Sequence, residues 1–327
     1  MKENRIVFID NLRAFSLLGV IVIHTLSFHL SNPINAFFWN FLEFVVVTFI
    51  FCSGFVNAHY EGKLKSLSDI FLWYKKRFFR LYFPFFLYFL IHFILFFFFP
   101  NIFNHFAMQK NIYFFIGSFF LFWGSNSNWL PLIFLQLSFI TPLIFFLRKK
   151  GLIWIYLLLA GVITAWFGLV QFPYSYYRIV MWIPWSFVLF FGLYFPKKFI
   201  KQLYLLMGSL LIYIVSYFIL LNSHKSLNFY DNKYPPTFFY ISFGIFLTII
   251  STWILSFVNF PTKIQKSLFY ISKNSYALFF IHYIILDFLE STALSKNYLL
   301  EMVIVAISSI LFLLIIQKVK LKLNLNI

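Results

Sequence analysis

Of 327 residues, 62% are hydrophobic and only 11% charged. A water-soluble core of this size has no use for apolar runs of spanning length, so the composition excludes an ordinary soluble globule and predicts a multi-pass membrane protein. A formal net charge of +17 would suit a nucleic-acid binder, but here it is distributed over short loops, and no basic domain is expected to offer a surface to nucleic acid.

In chain order, ten spans are predicted at 6–29, 37–58, 81–99, 129–147, 152–170, 178–195, 203–221, 236–257, 270–290 and 298–317. The expected fold is an all-α membrane protein, one bundle of about ten transmembrane helices forming a single domain over 1–327. A further apolar piece at 113–123 is too short to cross and is re-entrant, interfacial or buried in protein. With the amino terminus inside, only Lys110, Arg178, Lys225, Lys233 and Lys296 of the 26 basic residues fall on the outer side. That bias predicts both termini cytoplasmic. The first span follows Lys2 and Arg5 but is long, charged and lacks a small-residue cleavage site, so it reads as retained. The single cysteine, Cys52, excludes an intrachain disulfide.

Within the first span, Asp10, Arg13 and His24 share one helical stripe. Arg13 and His24 are separated by about three turns, roughly 16 Å of rise. Ionisable groups in hydrocarbon are costly and point to function. Asp10, one turn before Arg13, is close enough to pair with it. Deep burial favours a neutral imidazole at His24, as a general base requires. The bland alternative is a structural pair at the membrane edge and a histidine bonding a neighbouring helix.

Glu43 lies toward the outer half of the second span, ahead of the small residues Ser53 and Gly54, which suit close helix packing. The motif RFFRLYFP places Arg77 and Arg80 one turn apart at a helix start, with Lys75 and Lys76 beside them. Such a pair can grip phosphate, or simply anchor the span at lipid headgroups. In the ninth span, SKNSYALFFIH sets Ser275 and His282 on one face. Outside, Asp231, Tyr234, Pro235 and Pro236 open the eighth span, while Tyr174, Tyr176, Tyr177, Trp182 and Trp185 cluster at the sixth. Aromatic planes beside a carboxylate suit sugar stacking and equally suit an interfacial belt.

Taken in this order, the pieces resemble the acyltransferase 3 family of integral membrane acyltransferases. The matching segments are FIDNLRAFSLLGVIVIH, FIFCSGF, RFFRLYFP, WLPLIFLQLSFITPLI from Trp129, RIVMWIPWSFVLFFGLYF and SYALFFIHYIIL, covering nearly the whole chain. The resemblance implies an O-acyltransferase of the cell membrane, moving an acyl group, usually acetyl, from cytoplasmic acyl-CoA to a hydroxyl of an extracytoplasmic glycan or related acceptor. It implies that His24 is catalytic with Asp10 positioning Arg13, and that Arg13, Arg77 and Arg80 hold the acyl-CoA co-substrate. Glu43, Trp129, Asp231, Tyr234 and His282 are the expected acceptor-binding residues. No metal and no tightly bound cofactor is expected; the partners are acyl-CoA, the glycan acceptor and membrane lipids. Pro131 and Gln136 stand where many polysaccharide-modifying relatives carry an acid after the tryptophan. An exporter of polysaccharide or small solute, with His24 as proton relay, is the alternative, and a non-catalytic subunit of a glycan assembly complex a third.

Overall fold

A computed structural model describes residues 6–104, 106, 108–170, 172 and 176–322, apart from the side chains of 126, 320 and 321. Among them there is no β-strand. The helices, in chain order, are α1 (Val7–Leu26), α2 (Pro33–Phe41), α3 (Phe44–Asn57), α4 (Leu67–Phe98), α5 (Ile112–Phe119), α6 (Trp129–Lys149) and α7 (Ile153–Leu169). They continue with α8 (Tyr177–Val180), α9 (Trp182–Leu193), α10 (Phe199–Asn222), α11 (Phe238–Phe257), α12 (Thr262–Lys273), α13 (Ser275–Glu290) and α14 (Tyr298–Lys322). Seven helical stretches are long and apolar enough to cross a membrane: α1, Pro33–Tyr60 taken together, α4, α6, α10, α11 and Tyr298–Val319 of α14. Two shorter apolar stretches, Ile153–Leu169 and Tyr177–Leu193, coincide with the expected fifth and sixth spans.

Local chemistry accounts for several boundaries that differ from expectation. The third span begins well before residue 81, because Ser66 and Asp69 form a reciprocal capping box that starts α4 at Leu67. At 32 residues α4 is about 48 Å long, more than the roughly 30 Å of a hydrocarbon core. Arg77 and Arg80 therefore sit inside the helix, not at its start. The expected ninth span is divided between α12 and α13 at Asn274. Its Nδ2 donates to Tyr270 O at 2.8 Å and its Oδ1 accepts from Gln317 at 3.1 Å, diverting the chain from a continuous helix. The second span is likewise jointed at Leu42 and Glu43, between α2 and α3. The apolar piece near 113–123 supplies only the short α5, followed by a turn in which Trp123 Nε1 donates to Tyr113 O.

The first helix is central, packing against α2, α3, α11, α12, α13 and α14. Small residues set the closest approaches: a β-carbon on Gly54 of α3 would lie 2.6 Å from Leu189 O of α9, and one on Gly192 would lie 2.4 Å from Phe51 O. Only residues without side chains permit such contact. On its other side α3 meets α11, where Thr48 and Thr248 hydroxyls are 2.8 Å apart. By contrast α10 packs mainly on α11, fully buries only Ser209 and Leu220, and turns much of its apolar surface outward, as suits lipid. The loop 223–237 folds back over the bundle, held by Asn40 Oδ1 accepting from Phe229 N at 2.7 Å and by Asn232 donating to Ser226 O and Asn228 O. That fold carries Lys233 inward.

Candidate active site

Two cavities flank a shared wall, Phe49 of α3. The first, about 190 Å³, is lined by His24 and Ser27 from the end of α1, Glu43 before α3, Trp129 at the start of α6, Lys233 and Tyr234 from the folded-back loop, and Tyr283 of α13. The second, about 130 Å³, lies toward the other end of α1 and is lined by Arg13, Ser53, Asn57, Arg77, Arg80, Lys273, Ser275 and Tyr276. Between them Phe49 meets Phe134 edge-on with centroids 5.7 Å apart, and Phe134 meets Tyr276 in the same way at 6.3 Å. Aromatic rings thus form part of the partition between the two chambers.

In the first chamber the hydroxyl of Tyr283 lies 2.9 Å from His24 Nε2. Either atom can donate, and the choice sets the chemistry. When Nε2–H donates to the phenol oxygen, Nδ1 is left as the proton acceptor. Rings of Phe106, Phe279 and Tyr283 crowd the imidazole at 6.5, 6.4 and 4.6 Å, giving a largely apolar surround. His282 is its neighbour at 5.3 Å between centroids, but this ring is fully buried, with Nδ1 3.2 Å from Leu278 O, and does not line the chamber. Position 283, one residue on and about 100° round the helix, faces the chamber instead.

The opposite wall is built on a buried ion pair. Lys233 Nζ donates to Glu43 Oε2 at 2.8 Å, with the two side chains 6% and 1% exposed. The ammonium also stands over the rings of Trp129 and Tyr234, at 4.9 and 5.3 Å. Tyr240 donates to the backbone oxygen of Glu43 at 3.0 Å, fixing the joint between α2 and α3. Of the expected acceptor residues, Glu43, Trp129 and Tyr234 therefore meet around His24. Asp231 does not: it is exposed, accepts from Ser226 at 2.6 Å and lines a separate depression under the 223–237 loop.

In the second chamber Arg13, Arg77, Arg80 and Lys273 contribute four cations, and no acidic side chain lines it among the described residues. The field there favours a polyanion. Arg77 donates through Nη2 to Asn57 Oδ1 and stacks over Trp73 at 5.2 Å and Tyr60 at 5.8 Å, so its guanidinium plane is pre-oriented. Arg80 is exposed at the rim. Arg13 Nη2 donates to Cys52 O at 3.3 Å, while Asp10 accepts from Ser272 of α12 at 2.6 Å. Asp10 thereby ties α1 to α12, beside the lining residue Lys273.

Sequence reasoning did not single out Tyr283, Lys233 as a chamber residue, or Lys273. Nor did it single out a buried triad behind the chamber, in which Tyr88 Oη is 3.1 Å from His92 Nδ1, and His92 Nε2 is 2.7 Å from Asp287 Oδ2. Asp287 is one turn beyond Tyr283 on α13, and Tyr88 packs against Tyr283 at 6.2 Å, so the triad backs the phenol. The available signal was a histidine and an aspartate within apolar runs. Tyr174, named among the outer aromatics, and Lys2 and Arg5 lie outside the described residues.

No curated protein and no solved structure matches the chain. A family model described as an acyltransferase domain, that of acyltransferase 3, matches residues 6–318, nearly the whole length. The chain belongs to this family and is by that membership a membrane acyltransferase.

Proposed function

We propose that the protein is an O-acyltransferase of the cell membrane that takes an acyl group, most simply acetyl, from cytoplasmic acyl-CoA and delivers it to a hydroxyl of an extracytoplasmic glycan or related envelope acceptor. In this reading the chain crosses ten times, with the seven long stretches, the two shorter ones and α13 as spans and both termini cytoplasmic. Its chief support is one observation: a cationic chamber and a histidine–tyrosine chamber share the side chain of Phe49 as their wall.

The polyphosphate end of the donor, which cannot enter lipid, rests against Arg77, Arg80, Lys273 and Arg13. Guanidinium forks match phosphate geometry where a lysine acts as a point charge. The thioester arm extends past Phe49 toward His24. An acceptor hydroxyl enters from the side of Trp129, Tyr234 and the Glu43–Lys233 pair, where rings can stack on a sugar and polar groups can read its hydroxyls. Nδ1 of His24 takes the hydroxyl proton as Nε2–H donates to Tyr283. The alkoxide oxygen attacks the thioester carbonyl, the carbon–sulfur bond breaks, and the departing thiolate takes the proton back from the imidazolium.

The test is purified protein in detergent with labelled acetyl-CoA and a panel of glycan acceptors. Acceptor-dependent CoA release that His24→Ala abolishes, at unchanged protein abundance, supports the reading. Release indifferent to His24, or none with any acceptor, counts against it.

A further inference from the structure

At the histidine end of α1, outside the chamber, three side chains from three elements converge. His29 follows α1, Glu290 is the last residue of α13, and Glu301 lies in the first turn of α14. Their nearest ligand atoms all fall within 4.8 Å of one another. Glu301 is fully buried; its Oε2 is 2.8 Å from His29 Nε2, and its Oε1 is buried with no hydrogen-bond partner. Two carboxylates this close repel unless a proton or a cation lies between them. A buried carboxylate oxygen without a donor is expensive and rarely retained without a use.

We infer that His29, Glu290 and Glu301 bind a divalent transition-metal cation of the zinc type. Imidazole selects zinc over calcium or magnesium, which prefer sets made of oxygen alone. One nitrogen and two carboxylates give three protein ligands, a set zinc commonly takes with water in the fourth place. Zinc bonds of about 2.0–2.2 Å set tetrahedral donor separations near 3.4 Å. Rotation of the partly exposed His29 and Glu290 closes the difference, with Glu301 as the fixed point. Between His29 and Glu301 the metal replaces the hydrogen-bonding proton, which moves to the other imidazole nitrogen or to solvent.

Position suggests what the ion does. His29 is five residues beyond His24, and Glu290 is seven beyond Tyr283. The clamp therefore joins the ends of the two helices that carry the 2.9 Å imidazole–phenol contact. None of its three ligands lines the chamber, so the ion is a positioning device and takes no part in group transfer.

The test reads metal directly, independent of acyl transfer. Tag-free protein is stripped with EDTA, dialysed against buffered zinc, and assayed for bound metal and for thermal midpoint in detergent. The inference expects one zinc per chain and a raised midpoint in wild type, with affinity at least tenfold weaker in Glu301→Gln and in His29→Ala. Midpoints measured in EDTA show whether each variant is folded. If either variant is unfolded, wild type alone decides by stoichiometric zinc with a raised midpoint. Wild type that takes up no zinc, or zinc that both folded variants retain equally, overturns it.

Discussion

The hydroxyl of Tyr283 lies 2.9 Å from Nε2 of His24, joining α13 to the last turn of α1 at the wall of the first chamber. A hydrogen bond to a group that becomes charged is worth about 1.5–3 kcal/mol. Tyr283→Phe keeps the ring and removes only that bond. It is expected to lower kcat roughly 10–100-fold with little change in either KM. Steady-state kinetics on acyl-CoA and acceptor checks this; an unchanged kcat would assign the tyrosine to packing alone.

The Glu43–Lys233 pair is almost wholly buried. Removing one partner strands the other charge, at a cost of about 3–5 kcal/mol. Glu43→Gln and Lys233→Met should each lower the thermal midpoint in detergent, whereas the double variant should recover much of the loss. If the single variants are as stable as wild type, the pair is solvated and the chamber wetter than its lining implies.

Arg77 is held by Asn57 and by the rings of Trp73 and Tyr60, and Arg80 stands at the rim of the same cationic chamber. Arg77→Ala and Arg80→Ala should each raise the KM for acyl-CoA about tenfold, the loss of roughly 1.4 kcal/mol of phosphate binding, while the acceptor KM stays level. Arg77→Lys should recover only part of this, since it keeps charge and loses the fork. Failure of both alanine variants to accumulate, with normal KM in any surviving protein, would make these arginines membrane anchors.

Packing offers a sharper contrast. A methyl at Gly54 would press on Leu189 O at 2.6 Å and on Gly192 Cα at 3.1 Å, whereas one at Gly168 meets nothing within 4 Å. Gly54→Ala is expected to cost about 1–3 kcal/mol through overpacking. Gly168→Ala should be neutral or slightly stabilising, since alanine is the better helix former. Thermal midpoints of the two variants measure the difference directly.

Residues legible in the sequence were those whose chemistry is conspicuous against hydrocarbon. Arg13 and His24 stood out because only Asp10 and His29 are otherwise ionisable in their run, and the arginine pair because Arg77 and Arg80 break a string of aromatics. Tyr283 did not stand out, being one of 20 tyrosines, and the two-turn spacing of Ser275 and His282 on one face turned attention to His282 instead. Lys233 read as one more loop charge, since nothing local reveals that the 223–237 loop folds back to reach Glu43, 190 positions earlier. Periodicity reports which face of a helix is apolar; it is silent on which loop closes over it.

Sidedness tests the central claim most directly. In proteoliposomes of known orientation, acyl-CoA is confined to one face and acceptor to the other. Acyl transfer should occur only when CoA is on the face of Arg77 and Arg80 and acceptor on the face of Trp129 and Tyr234, and His24→Ala should abolish it. Transfer that requires both substrates on the same face, or passage of acceptor across the bilayer without CoA release, would contradict the account.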